Sequence, residues 1–386
     1  MVARLGDIAY IAAGQGAPQG MENYSEYGTP FVKAGNLVEL INGTSENDIQ
    51  KVTSEVAEKY KLKLFPKDTV VFAKSGMSCM KGYVHKLTMD SYVVSHLACI
   101  TPYKIEADYL KYYFEYHKPN QLVKDEAYPS ISLSDIADLQ IDIFNEQKRY
   151  KVIKTLDKVN LLIKIRKNQL SKLDELVKSR FIELFGMVGT DEKGWGLSRL
   201  GECCAVNPKK TNDSRLCAEL KVSFVPMTSV SEKGEIDTND IRIYENVKTG
   251  FTYFAEEDVL FAKITPCMEN GKGAVAKGLC NGIGFGSTEF HVLRPIEGIS
   301  NPYWLYVLTT FEQFRKDAEN NMTGSAGQRR VPASFLENYR VAVPPVELQN
   351  QFAAFVEQTE KSKLAIQQSL EQLETLKKSL MQQYFG

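Results

Sequence analysis

The chain is expected to be an α+β protein built twice: two mixed α/β domains, each followed by a long α-helix. The two helices would pair as an antiparallel coiled coil, giving a pseudo-two-fold internal duplication. Three observations predict this. The string LVKSRFIELFG at Leu176–Gly186 returns as LKKSLMQQYFG at Leu376–Gly386. Other short strings recur between them in unchanged order. In each copy an amphipathic stretch of about 38 residues without Gly or Pro leads into the shared Phe-Gly.

At 386 residues the chain is long for one core and comfortable for two domains. Hydrophobic content of 43% with 25% charge is that of a folded globular protein, which sets aside disorder. The opening MVARLGDIAYIAAGQG has neither the apolar core nor the small-residue cleavage site of a signal peptide. No stretch is long and apolar enough for a membrane span, so a cytoplasmic protein without membrane contact is expected. The seven cysteines show no C-x-x-C pairing, and the four histidines do not cluster near them. Reduced, mostly buried thiols are expected rather than a zinc site. A net charge of −1 speaks against a duplex-binding surface unless positive charge is gathered locally.

The repeated strings set the domain limits. RLGDIA at Arg4 answers RLGECC at Arg199, and FVKAGNL at Phe31 answers FVPMTSV at Phe224. FPKDTVVFAK at Phe65 answers FAEEDVLFAK at Phe254, and a Cys-Met pair lies beyond each. DYLKYYF near Tyr109 answers PYWLYVL near Tyr303, and LQIDIFNEQ at Leu139 answers YRVAVPPVE at Tyr339. Two copies of about 190 residues are too few and too large for a solenoid, so this is a duplication. The expected organisation is a first domain at 1–145, a first helix at 146–186 and a linker at 187–198. A second domain at 199–344 and a second helix at 345–386 complete it.

Within each domain, runs such as TVVFA and YVVSHLACITPY, bounded by Gly, Pro, Asn and Asp, read as short strands. ADYLKYYFEYH and NPYWLYVLTTFEQFRKDA read as helices, the latter capped by Asn301-Pro302. In the first long helix Val152, Leu156, Val159, Ile163, Leu170, Leu173, Val177 and Leu184 mark a heptad seam, with Arg166 and Arg180 in its two remaining positions. Phe352, Phe355, Ile366, Leu370, Leu373, Leu376 and Leu380 mark the second. Each helix would be roughly 57 Å long, and a stripe of that length needs a partner. If the two run antiparallel, Gly386 ends near Met1 and the repeated Phe-Gly is the same helix end twice, with the heads held apart as in a dumbbell.

Catalytic motifs are missing. GIGFG at Gly282–Gly286 has the glycine spacing of a nucleotide-binding turn, but STEFHVLRP after it reads as strand, so a tight turn is expected. There is no Walker-type G-x-x-x-x-G-K-[ST] and no G-x-S-x-G. The two FAK strings lack the acid two residues before the lysine that many nucleases use. A non-catalytic recognition protein is the expectation. Its candidate contacts lie in loops after equivalent strands: Lys74, Ser75 and Lys81 in the first copy, Lys263, Thr265, Asn270 and Lys272 in the second. A second pair of loops holds Tyr128 and Ser130, and Gln328, Arg329 and Arg330. Lys33, Asn36, Thr228, Lys209 and Lys210 complete the set. Arg and Gln beside glycines suit both phosphate contacts and base-edge readout, while solvated loop charge is the plain alternative for any one of them.

Two diverged domains, each followed by a spacer helix ending at Phe-Gly, with GFGSTEFHVLRP and RVPASFLENYRVAVPPVELQ in the second copy, closely resemble the specificity subunit of Type I restriction-modification systems. The similarity extends over essentially the whole chain; the first copy departs in LQIDIFNEQ, which lacks the Pro-Pro. The resemblance implies two target-recognition domains on double-stranded DNA, each reading one half of a bipartite sequence. It implies that the helices set the unread gap and dock two methyltransferase subunits, with restriction subunits as further partners. No cofactor would be bound by this chain; S-adenosylmethionine, ATP and Mg would sit on the partners. A free-standing two-headed scaffold for nucleic acid or protein, and an enzyme with an unrecognised site, are the competing readings.

Overall fold

The computed structural model describes residues 1–210, 215–325 and 327–386. The chain forms two compact units, Met1–Ile165 with Ser369–Gly386, and Arg166–Gln368.

Both units are built to one plan. In the first, a four-stranded antiparallel sheet has the order Ala9–Ala13, Leu97–Pro102, Val70–Ala73, Val84–Lys86. A second sheet has the order Lys51–Val52, Thr29–Val32, Ser91–Val93, Leu64–Phe65, and its central pair is parallel with Phe31 opposite Tyr92. In the second unit the matching orders are Cys204–Val206, Phe290–Pro295, Val259–Ala262, Gly273–Val275, and Ile241–Ile243, Lys221–Val225, Ile283–Gly286, Thr252–Ala255. Its central pair is again parallel, with Phe224 opposite Phe285. A two-stranded ribbon ties the start of each head to its end, Val2–Arg4 with Gln140–Asp142 and Leu197–Arg199 with Arg340–Ala342.

Val70–Ala73 and Val259–Ala262 are buried at every position. Because successive side chains of a strand point to opposite faces, each such strand serves two cores. Val70 and Phe72 join Tyr109, Leu110 and Phe114 of the helix Ala107–Tyr116. Val71 and Ala73 join Phe31, Phe65 and Val93 of the other sheet. Val259 and Phe261 likewise meet Trp304, Leu305 and Phe314, while Leu260 and Ala262 meet Val225, Phe254 and Phe290. This double burial is why TVVFA and DVLFA read as unbroken apolar runs instead of alternating ones.

The two long helices are Glu146–Phe185 and Val346–Phe385. Asn145 begins the first, its Oδ1 accepting the Lys148 N–H at 2.9 Å. Gly186 stops it at φ +82°, a conformation that costs glycine nothing, and its N–H bonds the Ile182 carbonyl at 2.8 Å. Gly386 bonds Gln382 in the same way. The Phe of the repeated Phe-Gly is therefore a buried last helical residue in both copies.

Within the second unit the helices run antiparallel. Asp174 pairs with Lys363 at 2.6 Å, and the Phe181 and Phe185 rings lie 5.6 and 5.3 Å from Phe352. Numbers thus rise along one helix as they fall along the other. Within the first unit, Val152 and Leu156 share a core with Met381 and Phe385. The Phe385 ring sits 5.3 Å from Tyr109, and its carbonyl faces His117 Nε2 at 2.8 Å.

The structure corrects four sequence expectations. The seam drifts: Phe181 and Phe185 are buried where the heptad pattern places Arg180 and Leu184, and Leu376 is 45% exposed. A straight helix turns about 20° per heptad away from a 3.5-residue repeat, so each buried stripe rotates toward its head near the end. The segment from Pro302 is two helices, Pro302–Thr310 and Glu312–Asn320, broken at Phe311. Thr309 and Thr310 hydroxyls bond carbonyls three residues back, and the Phe311 ring meets Phe181 at 5.0 Å. YVVSHLACITPY is two strands in different sheets, parted before Leu97. GIGFG contributes a central strand, not a tight turn: a Cβ at Gly284 would stand 2.1 Å from the Phe254 ring. Among the described residues Asn301 does cap its helix, accepting the Tyr303 N–H at 2.9 Å.

All seven thiols are free, and four are buried, Cys79, Cys99, Cys203 and Cys204. Burial pushes Cys203 up to about 11 and Cys204 up to about 12, so neither is a nucleophile at neutral pH. Among the described residues no group of three or more His, Cys, Asp or Glu could hold a metal, and no helix is long and apolar enough to cross a membrane.

The packing makes two features testable. Phe352 is fully buried between Phe181 and Phe185, so Phe352→Ala should cost about 3–5 kcal/mol of the second unit's stability, measured by urea denaturation. His291 is 5% exposed; its Nε2–H donates to the Val331 carbonyl at 2.8 Å and Nδ1 accepts from Asn207 Nδ2 at 2.9 Å. Burial holds its pKa below the usual 6.5, so the unfolded chain takes up the proton first and stability falls as pH drops below about 6.5. Urea midpoints at stepped pH should show that fall, and His291→Gln should flatten it.

Candidate nucleic-acid interface

Each doubly buried strand ends at a lysine, Lys74 or Lys263, where the chain leaves the sheet. Beyond that lysine lies a frame of backbone hydrogen bonds that is the same in both heads. The Lys74 N–H donates to the His96 carbonyl at 2.9 Å, and the Lys74 carbonyl accepts from Ile131 at 2.8 Å. The Gly76 N–H reaches the Pro129 carbonyl at 3.0 Å. In the second head Lys263 donates to Glu289 at 2.9 Å and accepts from Val331 at 2.9 Å, and Thr265 donates to Arg329 at 3.1 Å. Three loops are thereby fixed side by side, and the frame equates Lys74 with Lys263, His96 with Glu289, and Ser130 with Arg330.

The side chains on the two frames differ. In the second head Glu289 takes Arg330 Nε and Nη2 at 2.9 and 2.8 Å, and Arg330 Nη1 donates to the Gln328 carbonyl at 3.0 Å. Arg330 holds Glu289 below the usual carboxylate range, while burial and the nearby Arg330 lower Lys263. Arg329 lies 3.4 Å from Glu319 and 3.7 Å from Glu269. Thr265 Oγ1 donates to Glu269 at 2.8 Å, and Lys272 Nζ reaches the Met227 carbonyl at 3.3 Å, bringing the Thr228 turn to the same edge. Asn270 is exposed on the turn between them, and Thr323 and Arg330 exchange backbone bonds.

In the first head the Ser75 hydroxyl bonds His96 Nδ1 at 2.8 Å, with Ser130 exposed beside it. Among the described residues Lys74 and Lys81 have no ion-pair partner. Tyr128 is 83% exposed and Met77 is 71% exposed, flanking the Gly76–Pro129 bond. An aromatic ring and a thioether held out by a rigid backbone offer apolar contact of the kind a thymine methyl accepts.

Some sequence candidates fall elsewhere. Asn36 caps the turn after Val32, its Oδ1 accepting the Lys33 N–H at 2.9 Å, and Lys33 Nζ is held by Gln50 at 2.6 Å and by the Tyr24 ring at 4.0 Å. Lys33 is thus partly occupied within its own loop. Lys210 donates to the Lys248 carbonyl and does not join the frame, and Lys209 is exposed next to it. Sequence reasoning missed His96, Met77 and Glu289. A signal for Glu289 is present in part, since GFGSTEF stands out as a motif, but nothing local says that its glutamate meets an arginine 41 positions later.

Known proteins share this architecture. Residues 1–174 and again 192–375 match the family described as the Type I restriction modification DNA specificity domain. The chain is 42% identical over 158 residues to the Type I restriction enzyme EcoAI specificity subunit of Escherichia coli, covering 40% of this chain and 26% of that one. It is 30% identical over 190 residues to the MjaIX specificity subunit of Methanocaldococcus jannaschii, covering 45% and 43%. The chain therefore spans only about a quarter to under half of the length of these curated relatives. In fold it is similar to the crystal structure of a Type I restriction-modification S subunit from M. genitalium, with TM-score 0.60, 13% identity and coverage of 100% and 96%. A chain from a structure of type I R-M complex assembly gives TM-score 0.53, 17% identity and coverage of 100% and 97%. Matched twice, over nearly all of its length, the chain belongs to the Type I restriction modification DNA specificity domain family.

Proposed function

We propose that this chain is the DNA-specificity component of a Type I restriction-modification complex. Each head reads one half of a bipartite duplex target, and the long helices set the unread gap and dock two modification subunits. The chemistry belongs to those partners: S-adenosylmethionine for adenine methylation, and ATP with Mg where restriction subunits join. The observation that carries this reading is one backbone frame built twice and furnished with different side chains. Two heads on one plan need two different surfaces only if they read two different things.

The groups on the frames suit a duplex. Half-buried Lys74 and exposed Lys81 can meet phosphates, and Tyr128, Met77 and Arg330 can meet base edges. The near-zero net charge is compatible, because partner subunits can supply part of the phosphate contact that dominates duplex affinity.

The deciding experiment maps modified adenines across genomic DNA in cells carrying this chain and its modification partner, with and without the chain. A split motif of fixed gap that vanishes without the chain is expected. Unpatterned or unchanged methylation with the complex assembled would instead favour a scaffold without a DNA target. Lys74→Ala and Lys81→Ala should each weaken duplex binding for all sequences alike. Each should reduce the slope of log affinity against log salt by about 1, measured by anisotropy titration, and leave the motif unchanged.

A further inference from the structure

Arg330 is not simply a cation on a loop. Its guanidinium carries five N–H donors, of which Glu289 takes two and the Gln328 carbonyl a third. Among the described residues one donor is left on each terminal nitrogen, in a plane fixed by the carboxylate behind it, and the side chain is still 42% exposed. Two coplanar donors match two adjacent acceptors. In a duplex major groove the base that offers them is guanine, through O6 and N7.

A phosphate contact is the competing use of the same fork, and local charge disfavours it. Lys263, Arg329 and Arg330 stand among Glu269, Glu289 and Glu319, so the cluster carries no excess positive charge to draw a phosphate. A buttressing carboxylate weakens a Coulombic contact but improves an oriented one. The first head supplies the contrast. At the same frame positions it holds Ser130 and His96, the latter bonded to Ser75. One backbone thus carries an arginine reader in one head and a hydroxyl–imidazole pair in the other.

Resting on the reading of the heads as duplex readers, we propose that Arg330, oriented by Glu289, reads a guanine in the half-target of the second head. Glu289 is then a positioning residue that acts through Arg330. Ser130 and His96 occupy the equivalent reading position of the first head.

The test is selection of duplexes from a random library by the full chain assembled with its modification partner, compared among wild type, Arg330→Lys and Glu289→Gln, with melting temperatures taken in parallel. Wild type should return a split sequence with a guanine in one half. Arg330→Lys should lose preference for that guanine by about 10- to 100-fold, and Glu289→Gln should lose part of it, with the other half unchanged in both. Folded variants that return the wild-type sequence, or that change both halves, would overturn the assignment. Collapse of both variants on melting would make the pair a fold staple and overturn it equally. A wild-type complex, shown to be assembled, that selects no split sequence fails the underlying reading instead, and that outcome is visible before any variant is tested.

Discussion

Everything at the candidate interface depends on a strand with no solvent face. Val70–Ala73 and Val259–Ala262 each send alternate side chains into two separate cores. Sliding such a strand by one residue would exchange the contents of both cores at once, so its register is fixed more firmly than that of a strand with a wet side. The lysine at its end inherits that rigidity. Its N–H and C=O are the first polar groups beyond the buried run, and each binds a different loop. The candidate interface is in this way anchored directly to a doubly buried strand of each head.

The two heads then divide recognition between scaffold and ornament. Backbone hydrogen bonds give the loops their places, so the side chains on them are released from a structural duty and can differ. The second head spends its charge internally, in carboxylate–guanidinium pairs that orient donors. The first leaves Lys74 and Lys81 without carboxylate partners among the described residues and presents exposed Tyr128 and Met77. The acid response obeys the same division. His291, next to the second frame, has its pKa lowered by burial and bonds the carbonyl of Val331, the residue whose N–H closes the frame, whereas the matching register of the first head is Ala98.

Order along the chain is readable in the sequence, and rotation about an axis is not. The duplication, the strand runs, the Asn301 cap and the Phe-Gly stops are visible because each is a local pattern. The buried stripe of the helices is misread at its ends, because Phe181 and Phe385 face their heads and a heptad template assumes that a helix faces only its partner. The break at Phe311 is hidden because neither Gly nor Pro marks it. GIGFG reads as a turn because glycine usually marks one; here the missing side chain makes room for the Phe254 ring. Of the candidate contacts, those defined by position relative to a strand end, such as Lys74 and Lys263, lie on the frame. Those picked for residue type alone, such as Lys210, do not. Glu289 escapes notice because an acid is not what one seeks on a surface for nucleic acid.

The Phe-Gly ending also bears on the order in which the molecule can be completed. The second unit is one continuous stretch, 166–368, whereas the first is assembled from 1–165 and 369–386. Tyr109 and Tyr113 receive Phe385 only after residues 369–386 have left the ribosome. The domain translated first is thus the one finished last, and until then it carries an open apolar groove. A closure spanning some 200 residues adds entropic cost only slowly with length, so the final state is little penalised. The interval before it forms is another matter, and a nascent chain stalled in its second half would offer that groove to chaperones or to a neighbouring copy.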